Sequence, residues 1–179
     1  MPRSRAVRAA AVVSVVLIAA IGWYLGSPLF IRTGAYEAIP TVSATPTAAT
    51  AATLPPLGAT PASQTDSGPT LIARGELQFV DSLHNGKGPV MLLRVGEQRI
   101  LRFENVAITN APDVHVYLSR DTGGKWTETT SLYLGALKAT NGSFNYDIPA
   151  NTDLAPFKSV VVWCRAFAVL VTWADLKSA

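Results

Sequence analysis

The sequence predicts an all-β domain, an antiparallel β-sandwich or jelly-roll-like fold, behind one apolar N-terminal helix and a disordered linker. Three observations predict it. From Thr70 onward the chain is made of short runs rich in Val, Ile, Leu and aromatic residues. Gly, Asn, Asp and Pro separate those runs, as they do at strand ends. No segment there keeps a helical period for three turns, and several short strands at this spacing argue a sandwich or barrel.

The N-terminal element comes first. Residues 1–8 carry Arg3, Arg5 and Arg8, and an uncharged stretch rich in Ala, Val, Ile and Leu follows from Ala9 to Ile31. A helix needs about 20 apolar residues to cross a bilayer, and residues 9–30 meet that length. Trp23 and Tyr24 lie near the far end, where amphipathic rings favour the headgroup level. Three arginines before the run and only Arg32 after it place the N-terminus in the cytoplasm. The competing reading is a cleaved signal peptide, but the run is long for one and Gly22-Trp23-Tyr24-Leu25 is a poor cleavage context. The expectation is a single-pass signal anchor in the cell membrane, with lipid as the partner of residues 9–30 and the C-terminal domain extracytoplasmic.

Residues 31–69 form a membrane-proximal segment and a Pro/Ala/Thr-rich linker. From Ala38 to Pro69 there are six prolines, many Ala and Thr, one charge (Asp66) and no aromatic residue. Such a stretch buries too little apolar surface to offset its ordering entropy. Read as a tether, about 30 flexible residues span roughly 30 Å and lift a domain clear of the membrane. The net charge of +3 comes largely from the membrane flank, since residues 70–179 hold eleven basic and ten acidic residues. That balance gives no basic face for nucleic acid.

Residues 70–179 are then one β-domain, long enough for a single core. Its candidate strands are Leu71–Val80, Val90–Val95, Ile100–Ile108, Val114–Ser119, Leu132–Leu137, Ser143–Ile148, Ser159–Cys164 and Ala166–Trp173. Asn85-Gly86, Gly123-Gly124 and Asn141-Gly142 read as turn pairs. Alternation puts Val114, Val116 and Leu118 on one face and Asp113, His115 and Tyr117 on the other. In Ser159–Cys164, Val160, Val162 and Cys164 share a face, opposite Val161, Trp163 and Arg165. Apolar residues on both faces mark a central strand.

Cys164 is the only cysteine, so no intramolecular disulfide forms. A lone Cys among valines on a strand is ordinarily a small buried hydrophobe. Reactivity needs a nearby cation and exposure, and His84, His115, Lys138 and Lys158 are the cations the fold could bring to it. His84, His115, Cys164 and Met91 are blue-copper ligand types, but no His or Met follows Cys164, so no metal site is assigned. Simpler readings make His84 a turn residue, His115 a half-exposed strand residue and Asp113 a turn residue leading into a strand. Trp126, Trp163 and Trp173 read as core or rim. Gly-x-Ser-x-Gly, His-Glu-x-x-His and phosphate-cradling glycine loops are absent.

Several segments in order resemble one known family. They include Gly75-Glu76-Leu77-Gln78-Phe79 with His84 and Gly88, then Leu101-Arg102-Phe103-Glu104-Asn105-Val106 and Asn110-Ala111-Pro112-Asp113-Val114-His115-Val116-Tyr117-Leu118-Ser119. They continue through Leu134-Gly135-Ala136-Leu137-Lys138, Gly142-Ser143-Phe144-Asn145-Tyr146-Asp147-Ile148-Pro149 and Phe157 to Val169. Over Thr70–Ala179 the chain resembles the DM13 domain, described as an electron-transfer domain, in its membrane-anchored bacterial arrangement. The resemblance implies a β-sandwich-like domain with one redox-active cysteine, which maps onto Cys164. In animals the domain accompanies haem- or sugar-binding modules of membrane redox proteins. One departure is the end, where Leu170-Val171-Thr172-Trp173 stands in place of a Phe-Gly pair.

Two functional readings follow. One is a redox or electron-transfer accessory at the cell envelope, with Cys164 as its active thiol and a redox protein as partner. One thiol cannot cycle an internal dithiol, so it would use a mixed disulfide, a sulfenic acid, or a bound metal or haem. The cofactor is left open. The other reading is a non-catalytic binding or adhesion module, with Cys164 in the core and a ligand surface near His115 and Tyr117.

Overall fold

The computed structural model describes residues 2–27, 31–41 and 68–179. The end of the expected span, 28–30, and most of the linker, 42–67, lie outside the described residues. Helix α1 runs Pro2–Gly26. Proline is well placed at a helix start, where its missing N–H costs nothing. Over Val7–Gly26 the mean hydropathy is 2.1, and none of that surface is buried. A helix of this length and composition can cross a membrane; a signal sequence passes the same test.

Two sheets follow. The first is ordered β1-β8-β5-β4-β2-β11, with β3 also on β5. Its strands are β1 (Gly34–Tyr36), β2 (Thr70–Glu76), β3 (Gly86–Lys87), β4 (Pro89–Val95), β5 (Gln98–Ile108), β8 (Asn141–Ile148) and β11 (Lys177–Ser178). The second is ordered β10-β9-β6-β7. It comprises β6 (Val114–Ser119), β7 (Leu132–Ala136), β9 (Ser159–Cys164) and β10 (Val169–Asp175). Every pairing is antiparallel except β1 with β8.

The domain is therefore all-β, and its core lies between the two sheets. Leu92, Leu101, Phe103, Phe144 and Ile148 come from the first sheet, and Val116, Leu118, Val160, Val162, Cys164 and Val171 from the second. Phe103 stacks on Phe144 at 5.0 Å, and Tyr146 meets Phe103 edge-on. The alternation read from β6 holds for the core side, where Val114, Val116 and Leu118 point inward.

The membrane-proximal residues are part of this body, which the sequence reading did not anticipate. Beyond α1, residues 31–41 dock on the first sheet. β1 pairs in parallel with β8 from Gly34↔Asn141 to Tyr36↔Ser143. Glu37, Ala38 and Ile39 then form a strap across the outer side of that sheet. The Glu37 and Ala38 carbonyls accept from Arg102 Nη1 (3.1 Å) and Asn145 Nδ2 (2.8 Å). Ile39 packs on Leu93, Val95 and Ile100. A three-residue Gly-Ala-Tyr strand carries no readable period, so only the fold reveals it. The linker thus begins and ends on the sandwich, at residue 41 and at β2. The docking starts upstream of the linker, where the Ile31 carbonyl accepts from Asn110 Nδ2 at 2.9 Å.

Arg102 is almost fully buried, at 6% exposed. It donates to Glu104 and to Asn145 Oδ1 as well as to the strap. A buried guanidinium requires such partners. The Arg102 bond holds the Glu104 carboxyl below its ordinary value, against the upward push of burial. At Glu37 burial pushes the carboxyl up, but bonds from Lys138 and the Asn145 N–H outweigh it, and the net direction is down from 4.5. A carboxyl lowered on folding stabilises the fold above its unfolded pKa. That stability is lost as pH falls through the lower folded value. Glu37→Gln is expected to flatten the loss of stability below about pH 4.5, by less than about 1 kcal/mol because Glu37 is partly solvated. Denaturant midpoints at pH 7 and pH 3 check this; an unchanged pH dependence would refute the assignment.

Two of the turn pairs run into strands. Asn141-Gly142 opens β8, and Gly86 lies in β3 opposite Ile108. Gly142 is there for space: its φ is +111°, and a Cβ would fall 2.0 Å from the Ala35 carbonyl oxygen. Asn-Gly reads as a turn because it favours φ > 0; here the same freedom admits β1. Residues 166–168, read as strand, form the β9–β10 turn, and Ala168 has φ +51°.

Candidate functional site

The outer face of the second sheet carries an aromatic cluster. β6 supplies His115 and Tyr117, β7 supplies Tyr133 and β9 supplies Trp163. Registers place them side by side: His115 opposite Trp163, and Tyr117 opposite Tyr133. The loop after β6 adds Trp126. That loop is pinned by the Gly123 N–H to Asp175 (2.8 Å) and by the Ser119 hydroxyl to the Lys125 carbonyl (3.0 Å). Gly124 has φ +74°, and a Cβ there would sit 2.6 Å from Leu170 and 3.1 Å from Trp173. Only glycine lets the loop lie this close to β10, and so Trp126 reaches Tyr117.

The rings form a chain. Centroids are 5.0 Å apart for Trp163–Trp126, 4.6 Å for Trp126–Tyr117, 5.3 Å for Tyr117–Tyr133 and 5.5 Å for Tyr133–His115. Arg165 lies over it, with its guanidinium 4.8 Å from the Tyr133 ring and 5.7 Å from the Tyr117 ring. Its Nε donates to the Tyr117 hydroxyl at 2.8 Å. Trp126, Thr127, Glu128, Trp163 and Arg165 line an open cleft of about 650 Å³ at this edge.

Exposure differs from the sequence reading. His115, read as half-exposed, is 7% exposed, and Tyr117 is 1% exposed. Trp126 and the Tyr133–Arg165 pair cover them, a cover that alternation along β6 cannot show. Burial pushes the Tyr117 phenol pKa up, and Arg165 pulls it back only in part. Tyr133 is the member of this group with an open ring, at 46% exposed.

At one end of the chain stand three hydrogen-bonded groups. His115 Nδ1 meets the Tyr133 hydroxyl at 2.9 Å, and His115 Nε2 meets Asp113 Oδ1 at 2.5 Å. Asp113 has φ +59°, a left-handed conformation that Asp and Asn tolerate best among side-chain-bearing residues. Its carbonyl accepts from the Arg165 N–H at 3.0 Å, which ties this turn to the end of β9.

Cys164 lies behind this face. Its side chain is fully buried in the core, and Sγ donates to the Pro112 carbonyl at 2.8 Å. The cations considered from the sequence lie elsewhere, Lys158 among them, since it precedes β9 at the end opposite Cys164. Lys138 pairs with Glu37 at 2.9 Å, Arg165 turns to the outer face, and His115 faces Tyr133 and Asp113. His84 sits in the turn before β3, paired with Asp81 at 2.8 Å. Met91 packs with the small cluster on the first sheet. Among the described residues no three His, Cys, Asp or Glu side chains converge as a metal-holding group.

Of the sequence candidates, the fold joins Asp113, His115 and Tyr117 and leaves His84 and Cys164 apart from them. Tyr133, Trp126 and Arg165 complete the cluster and were not singled out for it. Their signal was the aromatic and basic residues on outward positions, readable only once β6, β7 and β9 are known to be neighbours.

Fold and site together define a β-sandwich with an aromatic cluster on the outer face of one sheet, carried behind an apolar helix. The chain belongs to the electron transfer DM13 family, whose model matches residues 78–176. No curated protein matches the chain, and no solved structure does.

Proposed function

We propose that this protein is a membrane-tethered, extracytoplasmic electron-transfer accessory that passes single electrons through the aromatic face of its second sheet. The observation that carries the reading is the unbroken ring chain Trp163–Trp126–Tyr117–Tyr133, with steps of 4.6 to 5.3 Å. Family membership supports an electron-transfer role. The arginines at positions 3, 5 and 8 support a cytoplasmic N-terminus. The docked strap would tether the domain to the apolar helix through a short connection, which suits a partner in the same membrane.

Cys164 remains in this reading as a redox thiol of a restricted kind. A mixed disulfide with a partner needs Sγ exposed, so the thiol acts only when the Pro112–Asp113 turn lifts from β9. The aromatic face needs no such opening.

One-electron photo-oxidation of the full chain in detergent tests the proposal. A flash-generated ruthenium(III) complex is expected to yield tyrosyl and tryptophanyl absorbance. Trp126→Leu should break the chain and separate oxidation at Trp163 from oxidation at Tyr133. Radical kinetics indifferent to Trp126→Leu would refute a connected path. A second reading, an extracellular binding module, is favoured by the open cleft between Trp126 and Trp163 with Arg165 and Glu128 at its rim. It predicts ligand-dependent tryptophan fluorescence that Arg165→Ala abolishes.

A further inference from the structure

We propose that Tyr133 is the electron-donating group of this face and that His115, positioned by Asp113, takes its phenolic proton as the electron leaves. The inference deepens the electron-transfer reading and rests on it.

Proton positions follow from the partners. An ionised Asp113 only accepts hydrogen bonds. At 2.5 Å from it, His115 Nε2 must carry a proton, or two lone pairs would face each other. A neutral imidazole protonated at Nε2 has its lone pair on Nδ1. With the imidazole in that neutral form, the Tyr133 hydroxyl, 2.9 Å away, donates to Nδ1. The phenol faces a base, and the base is held in the accepting tautomer by a carboxylate.

Arg165 makes the proton transfer necessary. Its guanidinium lies 4.8 Å from the Tyr133 ring, and a radical cation there would face a fixed positive charge. A neutral phenoxyl radical would not, so the electron leaves Tyr133 only with its proton. Tyr117 shows the contrast. Its hydroxyl accepts from Arg165 Nε at 2.8 Å, and among the described residues no base is bonded to it. Two tyrosines 5.3 Å apart thus have opposite equipment: Tyr133 can release a proton locally and hold the radical, whereas Tyr117 carries no radical of its own and only bridges Tyr133 to Trp126 as packed medium for the electron to tunnel through.

The step balances with a one-electron oxidant of the metal-centre class. The oxidant gains one electron. Tyr133 loses that electron, its O–H bond breaks, and the proton forms the Nδ1–H bond of His115. The products are a neutral phenoxyl radical and an imidazolium paired with Asp113. Return of an electron from a donor reverses both transfers.

The test is flash oxidation of the detergent-solubilised full chain by a ruthenium(III) polypyridyl complex, read by transient absorbance and by electron paramagnetic resonance. A tyrosyl signal lost in Tyr133→Phe and a solvent deuterium isotope effect on its formation are expected. His115→Gln keeps a hydrogen-bond acceptor but no base, and should slow formation by about 100-fold. Asp113→Asn suits the φ of +59° and should weaken the isotope effect with the near-ultraviolet circular dichroism unchanged. That readout would not move if Asp113 were merely structural. Absence of any tyrosyl or tryptophanyl radical in the parent would overturn the electron-transfer reading itself. A parent radical that Tyr133→Phe leaves in place would overturn the assignment to Tyr133. A Tyr133 radical with the same rate and isotope effect in His115→Gln and Asp113→Asn would overturn the proton-transfer role alone.

Discussion

Native Cys164 is expected to react with an alkylating reagent at least about a thousandfold more slowly than the same thiol in denaturant. The side chain is fully buried, and Sγ is bonded to the Pro112 carbonyl. A reagent reaches it only through an opening, and openings of core strands cost several kcal/mol, each 1.4 kcal/mol being about tenfold in population. The route is the turn at Pro112–Asp113, held to the end of β9 by the Arg165 N–H. Destabilising that turn should speed labelling more than it lowers global stability. Labelling rates in native buffer, in denaturant and in a variant of the turn measure both quantities. Fast native labelling would mean that Sγ meets solvent routinely, and would move the redox role from the aromatic face to the thiol. Cys164→Ser gives the complement: its hydroxyl can keep the bond to Pro112. The aromatic reading expects photo-oxidation to survive, whereas direct thiol chemistry expects loss of exchange.

Gly142→Ala is expected to cost about 3 kcal/mol and to detach the strap. Two physical terms add. The φ of +111° strains any residue with a Cβ, and the new methyl would lie 2.0 Å from the backbone oxygen of Ala35. Backbone cannot rotate away as a side chain can, so β1 must leave β8. Its departure also takes the Glu37 carbonyl from Arg102 and the Ala38 carbonyl from Asn145, and two buried side chains lose partners. The terms separate by comparison. In a chain beginning at Thr70 no Ala35 is present, and the substitution should retain only the strain. The difference between its costs in the two chains measures the strap. Equal costs would show that β1 contributes nothing to stability. Protease sensitivity around residues 31–41 in the full-length variant gives an independent reading.

The strap also changes what the linker is for. Read along the chain, residues 38–69 look like a spacer that lifts a domain from the membrane. In the fold, Glu37 to Ile39 lie on the sheet and β2 starts beside β4. The intervening segment closes a loop on the domain, and loop-closure entropy grows only slowly with length. Lengthening it should leave the helix-to-domain distance unchanged.

Much of this protein was fixed by local pattern. The apolar run of α1 is legible because a membrane-crossing length needs no partner to define it. Val114–Ser119 and Ser159–Cys164 coincide with β6 and β9, because strands buried on both faces are continuous apolar runs between turn residues. The common face of Asp113, His115 and Tyr117 follows from the period of two. Burial of Cys164 follows from its place among valines. What only the tertiary structure decided is adjacency. β6 lies between β7 and β9, and that order sets Tyr133 beside His115 and Tyr117, Trp163 opposite His115, and Arg165 against Tyr117. Residues 18 and 48 positions apart carry no joint signal in the chain, since register is set by the core side of each strand and the outer side inherits it. The same holds for β1 and Gly142. A short parallel strand has no period of its own, and a glycine that looks like a turn is explained only by the backbone that lies against it.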